Sequence, residues 1–300
     1  MKPMLASDWL QAKVRFPLIA QPKIDGVRGL NMLGPLTTRR LKPFKNRFIQ
    51  RKFSNVDLVG LDGEFAAALE TDPALCRKTS SATSTHEGEP FVLWWLFDYI
   101  VPATDYHTYQ QRLDALHLRV AYLQQNQEWA THLRVMPSTV VTTLDQLLEL
   151  DAHHLKMGYE GTIIRDPNGL HKQGRSTVKE GGLLRIKTFV DDEAVVIRFE
   201  EGNHNANEAT INELGKTTRS SHQENMIPNG QVGTIVALYK GMEINVGPGN
   251  MTEAERIAFW EMRGMYIGRL FTFKHFPQGV KEKPRFPTWK CWRDESDTSD

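Results

Sequence analysis

The chemistry of this chain begins at Lys23, the first residue of the hexapeptide Lys-Ile-Asp-Gly-Val-Arg. A lysine amine attacks phosphorus only when neutral, so it needs desolvation or neighbouring cations to shed its proton. Gly26 permits a sharp turn that brings the backbone close to a nucleotide, and Arg28 can hold a ribose or phosphate oxygen. Alone, the hexapeptide fits an exposed hairpin with a charged turn at least as well. Later residues shift that balance. Leu61-Asp62-Gly63-Glu64 puts a carboxylate after a turn, Glu160-Gly161 repeats the pairing, and Arg185-Ile186-Lys187 places two cations on one strand face. The carboxylates of Glu64 and Glu160 can organise Mg²⁺, usually through water, and the cations can neutralise a triphosphate. Phe97 closes an apolar run and can stack on a base.

The elements that must position these groups follow from hydrophobic periodicity. Residues 16–34 predict strands joined by a tight turn, and 57–67 predict a further strand and turn. The nearly continuous apolar run at 91–100 predicts a buried central strand. Helices are expected over 105–125, with Leu113, Leu116, Val120 and Leu123 at helical spacing, and over 143–157. The second presents Leu144, Leu147, Leu148 and Leu155 and stops at Gly158. Strands follow at 160–166 and 182–188. Beyond residue 189 the chain is mostly strand-like, at 193–199, 232–239, 242–246, 268–276 and 285–292, with one helix near 251–263. Five short strands and a helix suggest a small β-barrel such as an OB-fold. The expected organisation is therefore α+β, with one domain over 1–188 and a β-barrel domain over 189–300. Residues 201–230 hold too few apolar side chains to order independently.

With 40% hydrophobic and 24% charged residues, the composition is that of an ordinary globular chain. No apolar run is long enough to span a membrane, and the first residues lack a secretion signal. Two distant cysteines, Cys76 and Cys291, fit a reducing, cytoplasmic setting. A net charge of +1 means that nucleic-acid binding would need a concentrated basic surface. Residues 39–52 supply one, with seven Lys or Arg and no acid.

Taken together, Lys23–Arg28, Asp62–Glu64, Phe97–Asp98, Glu160–Gly161 and Arg185–Lys187 occur in the order and rough spacing of the covalent nucleotidyltransferase superfamily. The segments 39–46, 174–181 and 284–287 resemble the small ATP-dependent DNA ligases of viruses and bacteria, the Chlorella virus type above all. The resemblance covers nearly the whole chain. It implies a nucleotidyltransferase (adenylation) domain of antiparallel sheets with helices, then an OB-fold domain. It further implies that Lys23 takes AMP from ATP with Mg²⁺, and that the AMP passes to the 5′-phosphate of nicked double-stranded DNA before a 3′-hydroxyl displaces it. Asp25, Glu160 and Lys187 would assist. Nucleotide contacts would come from Pro22, Ile24, Arg28, Glu64, Phe97, Ile163, Arg185 and Lys187, and metal contacts from Glu64 and Glu160. Arg39, Lys172 and Arg175 resemble the nick 5′-phosphate site, and Lys42 and Lys45 resemble backbone contacts. The 201–230 insertion, with Lys216 and Arg219, resembles a latch that orders on DNA and completes a clamp around it by a monomer. Residues 188–191 would be the hinge, and Arg285, Lys290 and Arg293 would be candidates for orienting pyrophosphate. An RNA ligase, a capping-type nucleotidyltransferase and a non-catalytic nick-binding protein are the alternative readings.

Overall fold

The computed structural model describes residues 2–101, 106–186, 189–276 and 283–293. The chain divides into two compact units, Met1–Lys187 and Thr188–Asp300. In chain order the first unit holds β1 (Met4–Leu5), β2 (Ser7–Asp8), β3 (Leu18–Pro22), β4 (Val27–Asn31), β5 (Thr37–Thr38), α1 (Arg47–Phe53), β6 (Leu61–Ala66) and α2 (Leu75–Ser84). It continues with β7 (Leu93–Tyr99), α3 (Tyr109–Asn126), β8 (Leu133–Val135), β9 (Thr139–Val141), α4 (Leu144–Met157), β10 (Thr162–Arg165), β11 (Gly174–Arg175) and β12 (Leu184–Ile186).

These strands form two five-stranded sheets, ordered β2-β12-β10-β3-β9 and β5-β4-β6-β7-β8. The expected hairpin over 16–34 is absent, because β3 and β4 lie in different sheets. Both edges of β3 are already taken, by β10 and β9, so no hydrogen-bonding edge remains for β4. Residues 23–26 instead cross from one sheet to the other. The central strand expected at 91–100 is β7, paired between β6 and β8. Its burial alternates, with Trp94, Leu96 and Asp98 turned inward.

The helix expected from residue 105 begins at Tyr109, where Thr108 and Gln111 form a reciprocal capping box. Its Leu113, Leu116, Val120 and Leu123 pack with Phe65, Trp94 and Leu96 of the second sheet. On the first sheet α4 buries Leu147 against Leu18, Ile164 and Leu184, and ends at Gly158 with a left-handed φ of 98°. Leu148 points outward, while Asp151 and His154 take the buried positions. The apolar face of this helix is thus rotated from the expected one by a polar contact described below.

The second unit comprises β13 (Val190–Asn205), β14 (Ala209–Ile211), β15 (Thr217–Arg219), β16 (Met226–Tyr239), β17 (Met242–Val246), α5 (Glu253–Glu261), α6 (Arg263–Tyr266), β18 (Leu270–Phe276) and β19 (Arg285–Trp292). Five of its strands make one antiparallel sheet, β17-β16-β13-β18-β19, over a core that includes Val196, Ile235, Val246, Phe271 and Phe273. The expected barrel does not close among the described residues. Strand β17 is only five residues long, and the two sheet edges meet at a single bridge between Gly247 and Thr288.

The 201–230 segment also departs from expectation. It carries regular pairing: β13 and β16 stay paired out to Asn205 and Met226, and β14–β15 form a hairpin at the tip. Hydrogen bonds do the work that apolar burial cannot. Asn207, 6% exposed, donates to Ser220 O, His222 O and Asn205 Oδ1 and accepts from Asn225. A polar segment can order when its backbone groups find such partners.

Candidate active site

Lys23 follows the last residue of β3, and Glu160 precedes β10 by two residues. The backbone locks them together: Lys23 N donates to Gly161 O and Glu160 N donates to Lys23 O, both at 2.9 Å. Across this pair Lys23 Nζ donates to Glu160 Oε2 in a short ion pair. Gly161 is needed for the chain to pass close to β12. Its φ is +141°, and a Cβ there would overlap Ile186 O. A Cβ on Gly26 would likewise overlap Phe65 O and the Glu64 side chain.

On the neighbouring sheet Arg28 of β4 pairs in register with Glu64 of β6. Its guanidinium grips Asp62 in a two-pronged bond, Nε to Oδ1 at 2.9 Å and Nη2 to Oδ2 at 2.6 Å. The remaining Nη1 donates to Met4 O at 2.8 Å. Burial pushes the Glu64 carboxyl up to about 7; Lys23 and Arg28 oppose the shift, and Asp62 and Glu160 reinforce it. Glu64 therefore sits where a cation or a hydrogen-bond donor would relieve it. Among the described residues, no three His, Cys, Asp or Glu side chains gather as a metal site. Glu64 and Glu160 alone suit Mg²⁺, which keeps several waters and takes one or two carboxylates beside substrate phosphates.

Phe97 lies on β7 with the Arg28 and Arg165 guanidiniums 5.2 and 5.5 Å from its ring centre. Behind it is an ion cluster that sequence reading did not single out. Asp98 accepts from Arg112 Nε at 2.8 Å and from Arg165 Nη1 at 2.6 Å, and all three side chains are at most 2% exposed. Burial alone would raise the Asp98 carboxyl, but Arg165 and Arg112 hold it at about 2. A second unforeseen network braces the Glu160 segment from α4. Thr162 Oγ1 donates to Asp151 Oδ1 at 2.7 Å and meets His154 Nδ1 at 2.8 Å. Burial, and secondarily His153, lowers His154 to about 4, which leaves it neutral near pH 7. The one signal available in the sequence was the polar pair Asp151 and His154, three residues apart on an otherwise apolar helix face.

The other expected site residues fall as follows. Ile24 is buried beside Ala66 and Leu75, and Pro22 pairs with Thr162. Asp25 stands within the crossover, and Ile163 pairs with Arg185 on β12. Arg185 Nε donates to Asp8 Oδ1 at 2.5 Å. Lys187 lies outside the described residues. Arg39, Lys42 and Lys45 are exposed, and Lys45 lines an open pocket with Arg47 and Arg51. Lys172 pairs with Glu180 at 2.7 Å, and Arg175 donates to Ala6 O. In the second unit Lys216 is exposed, while Arg219 is bonded to Asn207 O. Lys290 and Arg293 pair with Asp191 and Glu193, and Arg285 lies over the Phe286 ring.

No family model matches the chain. Over 72 residues it is 29% identical to the DNA ligase of African swine fever virus, a match that spans 24% of this chain and only 17% of that protein. It is 24% identical over 289 residues to the DNA ligase of Haemophilus influenzae, covering 92% of this chain and 86% of that one. The crystal structure of Chlorella virus DNA ligase-adenylate aligns over 98% of this chain and 99% of its own, at 27% identity and a TM-score of 0.55. In sequence and in fold, along nearly its whole length, this chain is similar to these DNA ligases.

Proposed function

We propose that this chain is an ATP-dependent DNA ligase that joins the 3′-hydroxyl and 5′-phosphate of a nick in duplex DNA. The observation that carries the reading is the Lys23–Glu160 pair, locked by reciprocal backbone bonds beside the half-buried Glu64. In the first step Lys23 Nζ attacks the α-phosphorus of ATP. The N–P bond forms, the P–O bond to pyrophosphate breaks, and the amine sheds its proton to Glu160, its ion-pair partner. The AMP then moves to the 5′-phosphate of the nick and frees Lys23. The 3′-hydroxyl attacks that phosphate and AMP leaves. Each step is an in-line displacement, so catalysis rests on positioning and charge stabilisation.

The nucleotide contacts follow the same reading. Phe97 stacks on adenine, with Ile163 on the opposite face and Pro22 and Ile24 alongside. Arg28 and Glu64 meet the ribose region, and Arg185 and Lys187 meet the α-phosphate. Mg²⁺ held by Glu64 and Glu160 would neutralise phosphate charge. Asp25 serves the later steps near the nick. Residues 1–188 form the adenylation domain, and 189–300 act as an OB-type domain whose β14–β15 arm, with Lys216, meets DNA. Arg39, Lys172 and Arg175 take the nick phosphate, Lys42 and Lys45 contact the backbone, and the protein closes on DNA as a monomer. No helix among the described residues is long and apolar enough to cross a membrane.

The test is incubation with labelled ATP or GTP, with nicked DNA or nicked RNA as acceptor. The reading expects label on Lys23 from ATP and sealing of the DNA nick. A preference for GTP or for the RNA nick would point to the other branches of the superfamily.

A further inference from the structure

The first two strands of the chain, β1 and β2, make more contacts with the site than their position suggests. Residues 3–8 run parallel to β11 and β12, and their backbone groups sort by parity. The carbonyls of Pro3 and Leu5 face β11 and accept from Gly174 N and Ser176 N, at 3.0 and 2.8 Å. Those of Met4 and Ala6 face the other way, as alternate carbonyls of a strand must. They accept from arginines: Met4 O from Arg28 Nη1, and Ala6 O from Arg175 Nη1. Two residues further, Asp8 lies opposite Arg185 in register, and its carboxylate accepts from Arg185 Nε.

Arg28, Arg175 and Arg185 are thereby fixed by one short extended segment, β1 and β2 with Ala6 between them. We infer that residues 4–8 are a positioning element of the site, and that Asp8 presets the Arg185 guanidinium for phosphate. The geometry gives Asp8 the Nε edge. Arg185 Nη1 and Nη2 make no bond among the described residues, so both nitrogens of the outer edge stay available to an oxyanion. Arg185 is 30% exposed, and an unanchored arginine there would sample several rotamers. Holding it in one orientation lowers the ordering cost when a phosphate binds. Asp8 has no place among the groups that touch the nucleotide, so it acts through Arg185.

This inference rests on the reading of Arg185 as a phosphate contact, and a double-mutant cycle separates the two. The rate of lysyl-AMP formation is measured against ATP concentration for the parent chain, Asp8→Ala, Arg185→Ala and the double variant, with thermal unfolding run in parallel. The expected result is a rise in KM for ATP of about fivefold in Asp8→Ala, the scale of a partly exposed charged pair, with kcat and Tm little changed. In the Arg185→Ala background the same change should have no effect. Asp8→Glu should recover part of the loss. If Arg185→Ala leaves KM unaltered, the phosphate role of Arg185 fails. If Arg185→Ala weakens ATP binding but Asp8→Ala does not, or if the two effects simply multiply, the positioning role of Asp8 is overturned.

Discussion

Replacing Glu64 by glutamine should stabilise the chain while removing its function. The Glu64 carboxyl rises from 4.5 to about 7 on folding, mainly through burial. A group whose folded pKa is raised costs nothing below its unfolded pKa, and its cost grows as pH climbs to the folded one. The interval converts to about 3 kcal/mol, fully felt above pH 7. Glutamine has nearly the same shape and carries no charge at any pH. The stability difference, variant minus parent, should therefore be small at pH 5 and approach about 3 kcal/mol at pH 8. Urea unfolding of the ligand-free chain at pH 5, 6.5 and 8, with a chelator present, measures it directly. Only the first unit carries Glu64, so its four tryptophans, Trp9, Trp94, Trp95 and Trp129, supply the relevant probe. A difference independent of pH, or a variant less stable than the parent at pH 8, would refute the reasoning. The predicted trade, stability gained and adenylylation lost, is the signature of a group held for function.

Asp98→Asn should act in the opposite sense. It strips the carboxylate from two buried guanidiniums, and breaking such a cluster costs about 3–5 kcal/mol at pH 7. Because Asp98 is held at about 2, its stabilising contribution is complete above the unfolded value and fades as pH falls toward 2. Denaturation curves at pH 7 and pH 3 should show the penalty shrinking; a constant gap would contradict the assignment. Gly26→Ala should disrupt the crossover, since the new methyl overlaps Phe65 O, and adenylylation should fall at least about a hundredfold, the scale of a roughly 1 Å misplacement. Full activity in that variant would show that the crossover can shift freely. Removing residues 206–225, the hairpin between Asn205 and Met226, should weaken nick binding about tenfold or more at moderate salt and leave lysyl-AMP formation intact. Equal loss of both activities would assign the hairpin to folding instead.

The candidate site was legible in the sequence because its residues sit in short local motifs that the fold brings together. Lys23, Glu64 and Glu160 each stand at a strand end or beside a glycine, and Phe97 lies in a nearly continuous apolar run, where pattern is informative. Helix α4 was legible through its periodicity and Gly158. The crossover at 23–26 was not, because two apolar strands around a glycine look alike whether they pair together or join separate sheets. Edge occupancy decides that, and it depends on β9, β10, β5 and β6, distant in the chain. The Asp98–Arg112–Arg165 cluster was hidden for a similar reason. A buried arginine has no local mark; only its partners 14 and 67 residues away reveal it. The 201–230 arm misled because polarity was taken as lack of structure, whereas Asn205 and Asn207 order it by hydrogen bonds. Closure of the barrel was not legible because counting strands does not tell whether the edge strands β17 and β19 pair along their length.

The central claim is that Lys23 becomes covalently adenylylated and passes the AMP to a nick. The most direct measurement incubates the chain with ATP labelled at the α-phosphate, maps the labelled peptide, and then adds nicked duplex. The account predicts one label per chain on Lys23, none in Lys23→Ala, and its discharge as the nick is sealed. Label elsewhere, label that persists in Lys23→Ala, or a labelled enzyme that nicked DNA never discharges would contradict it.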